Sequence, residues 1–156
     1  MKKAILVIVG LLASVTTFAA STGDLTISGT VALINDIVIT PKAAATALNI
    51  LAGEAGKSVA DVSETSNSVT GYKISMRSAN ASKLVNLSNA TKMTAYTVSY
   101  DGGSYVSLTN SDQVVKSSST SSLVTDSSDV SVNVTAFGTA PAGTYQDVIT
   151  ISISSI

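Results

Sequence analysis

The chain has 156 residues, a formal net charge of −1, 45% hydrophobic and 12% charged residues, and no cysteine, histidine or tryptophan. Those missing side chains exclude disulfide stapling, thiol chemistry, Ser-His and Cys-His nucleophile pairs, and zinc sites built on His or Cys. So mild a charge, with no basic stripe, argues against a nucleic-acid partner.

Residues 1–19 have the layout of a cleaved secretory signal peptide. Lys2 and Lys3 form a positive start, an apolar run extends from Ala4 to Val15, and Ala19 and Ala20 offer the cleavage site. The run is shorter than the roughly 20 residues of a spanning helix, so an export leader fits better than an anchor. Without the two leader lysines the formal charge becomes about −3. Roughly 136 residues remain, enough for one domain with its own core. The expected layout is therefore a leader over 1–19 and a single β-sandwich domain over 20–156, with 21–34 as a candidate extension. Ser, Thr, Val, Ala and Gly dominate, which suits an exported β-protein with hydroxylated outer faces, and Val, Ile and Leu are too frequent for disorder.

From Asp24 to Pro41, apolar residues keep one parity at Leu25, Ile27, Val31, Leu33, Ile37 and Ile39. Period 2 with β-branched residues means strand. The stretch is long for one strand, so the pattern predicts two in sequence, kinked at Asn35-Asp36 and stopped at Pro41. Gly29 and Asn35 are the exceptions to this parity. The Ala-rich residues 42–56 read as an excursion between strands, with helical turns as the alternative.

Residues 58–65 form a weakly alternating strand and 66–71 a turn. Residues 72–78 give the clearest interior strand, with Tyr72, Ile74 and Met76 inward and Lys73, Ser75 and Arg77 outward. After a loop at 79–82 and a short apolar piece at 83–87, residues 93–100 and 104–108 flank Asp101-Gly102-Gly103. Asp-Gly between alternating runs predicts a hairpin with a type I′ turn. Residues 109–122, with their serine run, read as a flexible polar loop, and 130–137 as a strand. Pro141-Ala142-Gly143 then turns into the closing strand, whose core face carries Tyr145, Ile149, Ile151 and Ile153. Seven or eight strands with short connections predict an all-β fold, an immunoglobulin-like antiparallel β-sandwich of about seven strands.

Chemistry is hard to place on this chain. Its ten acidic residues are scattered, mostly at expected turns, where Asp commonly bonds its own backbone. Asp126-Ser-Ser-Asp129 has oxygen ligands for calcium, but its spacing is not that of an EF-hand loop. The glycosylation sequons at Asn80, Asn86, Asn89 and Asn133 are of a kind that chance produces in a Ser/Thr/Asn-rich chain. Tyr72, Tyr96, Tyr100 and Tyr145 keep core register, leaving Tyr105 to point outward. No enzyme, cofactor or metal site is expected.

The ending Gly-Thr-Ala-Pro-Ala-Gly-Thr-Tyr-Gln-Asp-Val-Ile-Thr-Ile-Ser-Ile resembles the last strand of chaperone–usher pilin subunits, notably the spore coat protein U-like and alpha-fimbrial branches. Leu-Thr-Ile-Ser-Gly-Thr-Val, from Leu25 onward, is similar to a pilin amino-terminal extension. The likeness covers most of the chain after the leader in pattern. The absence of a disulfide departs from many members.

This resemblance implies an incomplete sandwich completed by a strand from a neighbour, with Leu25, Ile27, Gly29, Val31 and Leu33 as the donor. It implies self-association into fibres, a periplasmic chaperone, an outer-membrane usher, and a route from periplasm to cell surface. The residues themselves fit a second reading equally well. In it, 25–33 is the first strand of a self-contained exported module that binds a surface sugar or envelope protein. An outer-membrane barrel fits poorly, because the outward apolar faces are too short.

Overall fold

Alternation governs most of this chain, and the backbone follows it into strands. The computed structural model describes residues 22–156, so the expected leader lies outside the described residues. Two units are distinguished, Met1–Val31 and Ala32–Ile156. In the first, residues 22–31 form no strand, and Leu25, Ile27 and Val31 are 85–87% exposed.

The second unit carries nine strands among the described residues: β1 (Asn35–Pro41), β2 (Glu54–Ser66), β3 (Tyr72–Ser78), β4 (Lys83–Asn86), β5 (Asn89–Tyr100), β6 (Gln113–Ser118), β7 (Val124–Val134), β8 (Tyr145–Gln146) and β9 (Ile149–Ser155). All ladders are antiparallel. They build a six-stranded sheet in the order β1-β2-β7-β5-β4-β8 and a three-stranded sheet in the order β6-β3-β9. The result is an all-β sandwich. No helix among the described residues is long and apolar enough to cross a membrane.

The core lies between the sheets. From the larger sheet come Val62, Tyr96, Val98, Tyr100, Val130, Val132 and Val134; from β3 come Tyr72, Ile74 and Met76, each with no exposed surface. β3 has this face because it runs between β6 and β9, so its inward side chains are covered from both flanks.

Several expectations are corrected. Only one strand, β1, forms in the long amino-terminal pattern, and the one expected within 25–34 does not. The excursion after Pro41 holds a single 3₁₀ turn, Ala43–Thr46. Asp101 and Gly102 do adopt positive φ (51° and 71°), and Gly103 N donates to Tyr100 O at 2.9 Å, as a type I′ turn requires. Yet the returning arm pairs only through a bridge between Val98 and Val106, because β5 spends its edges on β7 and β4.

The polar loop expected over 109–122 contains β6, and β7 starts six residues before the expected Val130. The closing strand is broken in two: β8 joins the larger sheet and β9 the smaller. Within β7, Asp126 and Ser128 share the inward parity with Val130 while Asp129 lies on the other. Opposite faces rule out Asp126 and Asp129 as joint ligands of one calcium ion. No group of three or more metal-binding side chains occurs among the described residues.

Candidate functional site

β1 and β9 are edge strands, each with one ladder partner. They face each other across the rim of the sandwich. At one end the Asn35 side-chain amide links Ser66 Oγ (2.8 Å) to Ser155 Oγ (3.1 Å) and closes the rim. Toward Ile149 a cleft opens, lined by Ala45, Leu48, Val59, Leu84, Tyr96 and Ile149. This part has a volume of about 170 Å³. It shares Ala45, Leu48, Leu84 and Asp147 with a wider mouth of about 580 Å³ beneath the 3₁₀ turn and the β8 segment.

The inward side chains of the two edges are only half-covered. Ile149, Ile151 and Ile153 of β9, and Ile37 of β1, pack against the core but stay partly exposed, unlike Ile74 and Met76 one strand away. Unsaturated backbone donors and acceptors along β9 add to this, because an edge strand presents them to whatever approaches. Tyr145 also packs against the core, half-buried, with its ring edge-on to Phe137 (6.4 Å, 85°) and its hydroxyl donating to Pro141 O at 3.1 Å. The candidate donors Leu25, Ile27, Val31 and Leu33 are 63–87% exposed, and a Cβ added at Gly29 would meet open space.

At the mouth, Asp147 makes the turn between β8 and β9. One carboxylate oxygen accepts from Ser78 Oγ (2.5 Å) and Tyr96 OH (2.7 Å), the other from the backbone N–H groups of Asn80 (3.0 Å) and Val148 (2.7 Å). Strands β3 and β5, the loop after β3 and the turn between β8 and β9 thereby meet at one anion. Burial, reinforced by Asp147, pushes the Tyr96 phenol well above its ordinary value.

A second polar cluster lies inside the sandwich, and strand periodicity alone did not mark it. Glu64 of β2 is fully buried and accepts from Tyr72 OH (2.9 Å), Tyr100 OH (2.5 Å) and Ser128 Oγ (2.7 Å). Lys116 Nζ lies 3.1 Å from Glu64 Oε2 and 3.2 Å from Asp101 Oδ2, and the single Tyr72 hydroxyl proton is shared between Glu64 and Asp126, whose Oδ2 is 2.7 Å away. Burial by itself would raise the Glu64 carboxyl, but the bonds from Tyr100, Ser128, Tyr72 and Lys116 outweigh it and hold the group below the usual carboxylate range. Burial works against the Lys116 charge, yet Glu64 and Asp101 raise its pKa. Tyr72 and Tyr100 are pushed far up by burial and then by their carboxylate acceptors. Tyr72 and Lys116 belong to the smaller sheet and Glu64, Tyr100 and Ser128 to the larger, so the cluster staples the two together.

The outer face of the larger sheet carries a third, exposed cluster. Lys42 Nζ sits 2.6 Å from Asp61 and 2.9 Å from Asp129, which also accepts from Ser58. The hydrogen bonds that Lys42 donates to Asp61 and Asp129 raise its pKa. Exposed pairs of this kind contribute little to stability.

No protein-family model matches this chain, and no curated protein sequence does. Among solved structures, the chain is similar to the CooA pilin subunit from enterotoxigenic Escherichia coli, at 16% identity and a TM-score of 0.46, over 77% of this chain and 86% of that one.

Proposed function

We propose that this protein is a non-catalytic, exported structural subunit that assembles head to tail into a surface fibre by strand addition. The observation that carries the reading is the pairing of two incomplete parts in one chain. β9 is an edge strand whose isoleucines are half-covered beside an apolar cleft, and 25–33 is an exposed alternating segment without a strand partner.

An extended segment can satisfy such an edge with backbone bonds while alternate side chains fill the cleft. Leu25, Ile27 and Val31 supply the side chains and Gly29 the close approach. Each apolar side chain so buried contributes roughly 1.5–3 kcal/mol before the costs of association. An uncovered edge and cleft also need protection before assembly, the task of a periplasmic chaperone, with an outer-membrane usher for export. Glu64 held ionised and Lys116 held protonated support a structural role for the interior cluster, since neither is poised to exchange protons near neutrality.

The test is the size of the exported protein on a denaturing gel, with and without boiling. A ladder that collapses on boiling, and is absent when 25–33 is deleted, is expected. A single sharp monomer that keeps its fold would sink the proposal and favour a self-contained binding module.

A further inference from the structure

The way the chain enters β1 limits how neighbouring subunits can be joined. Asn67, in the turn between β2 and β3, grips the residues just before the strand. Its Oδ1 accepts from Ile34 N (2.7 Å), its own N–H donates to Ile34 O (3.2 Å), and its Nδ2 donates to Ala32 O (2.8 Å). The chain is therefore fixed to the body from Ala32 onward, directly after Val31. The seven residues from Leu25 to Val31 match the seven of β9 in length. A donor of that length leaves no slack before the grip.

Direction follows from the cleft. β9 runs from Ile149, where the cleft is open, to Ser155, where Asn35 closes it. A donor antiparallel to β9 has Val31 at the open end, so the donor's body begins there. The end face around Asn67 would then press against the neighbour's cleft mouth.

Both faces carry exposed apolar side chains suited to such a contact. Around Asn67 these are Leu33 (63%), Val69 (82%) and Leu123 (66%), the last just before Val124, which pairs with Ser66. At the cleft mouth they are Leu51 (57%), Leu87 (65%) and Val148 (56%). Leu51 adjoins Ile50, whose carbonyl accepts from Phe137 N, while Leu87 N donates to Thr144 O and Val148 O accepts from Ala79 N. Large apolar groups at opposite ends make a heterologous contact that repeats without closing, which generates a filament.

From the Asn67 grip and these two faces we infer that the partner of the end face is the cleft-mouth face of a second copy of this chain, so that successive bodies abut and the fibre is stiff. The inference rests on the strand-addition reading above.

Its test compares fibres of the full chain with those of Val69→Asp/Leu123→Asp, two exposed changes outside the cleft and the donor. A second variant inserts Gly-Ser-Gly-Ser after Val31. Two readouts are taken: the boiling-sensitive ladder, and fibre stiffness measured as persistence length in negative-stain images. Both variants are expected to keep the ladder while stiffness falls severalfold. Ladder and stiffness both unchanged overturns the end-face contact alone. Absence of the ladder in the unaltered protein overturns the strand-addition reading and this inference with it. Should the double variant misfold, the insertion decides, because it changes no residue of the folded body.

Discussion

Glu64 shows how far a single side chain departs from what its type leads one to expect. A lone buried carboxylate is prohibitively costly, but this one has three hydroxyl donors and an ammonium group within 3.1 Å. Glu64→Ala should cost about 1–3 kcal/mol, because it leaves the buried Tyr100 phenol without its acceptor and reduces Tyr72 and Lys116 to the more exposed carboxylates of Asp126 and Asp101. Urea unfolding would show this as a lower midpoint, and a loss well under 1 kcal/mol would contradict the staple.

The pH dependence follows from the directions of the shifts. The Glu64 pKa is lower folded than unfolded, so its stabilisation is complete above the ordinary value of about 4.3 and disappears as the pH falls below it. The acid-induced fall in thermal midpoint should therefore be shallower in Glu64→Gln than in the unaltered chain. Tyr72, Tyr96 and Tyr100 are shifted the other way, so their contribution is complete below about pH 10 and is lost as the pH rises through the folded values. In an alkaline titration these three of the five tyrosines should yield no tyrosinate absorbance until the protein unfolds.

Among the elements, legibility depended on whether polarity and burial agreed. β3 and the later half of β7 were plain because Tyr72, Ile74, Met76, Val130, Val132 and Val134 keep apolar parity. β2 alternates weakly because its inward positions include Glu64 and Ser66 beside Val62. β6 was hidden because its sequence does not alternate: a bulge opposite Ile74/Ser75 turns Val115 toward the core and leaves Val114 57% exposed. The break between β8 and β9 depends on Asp147, three of whose four donors, Ser78, Asn80 and Tyr96, come from distant parts of the sequence.

Turns offer a sharper test at this scale. Gly71 has φ +87°, and a Cβ there would lie 2.1 Å from Ser118 O, whereas at Gly102 (φ +71°) it would meet open space. Gly102→Ala should cost about 1 kcal/mol, the conformational strain alone. Gly71→Ala should cost substantially more, because β3 and β6 must separate to admit the methyl group. Equal unfolding midpoints for the two variants would contradict that assignment.

For the molecule as a whole, the governing feature is an unfinished rim. Natural sheets usually blunt or cover their edges, yet β9 has Ile149, Ile151 and Ile153 half-covered at an open edge. A ligand that binds only the folded state stabilises it, by about 2.7 kcal/mol at one hundred times its Kd. A peptide with the sequence of residues 24–34 should therefore raise the thermal midpoint of a chain lacking 22–31, and the same peptide with Ile27→Asp should not. No shift with either peptide would count against strand addition at this edge.

Local chemistry determined much of this protein. Period-2 alternation made it a β-protein, Asp101-Gly102 fixed a turn with two positive φ values, and the lack of Cys and His removed whole classes of reaction. Tertiary structure alone decided which strands lie beside which, that Glu64 would collect donors from several strands and Asp147 from β3, β5 and the loop after β3, and that the rim between β1 and β9 would stay open. The reason is physical. Alternation records which face of a strand is buried, but carries no term for its neighbour; pairing is chosen by long-range packing and by hydrogen bonds between residues far apart in sequence.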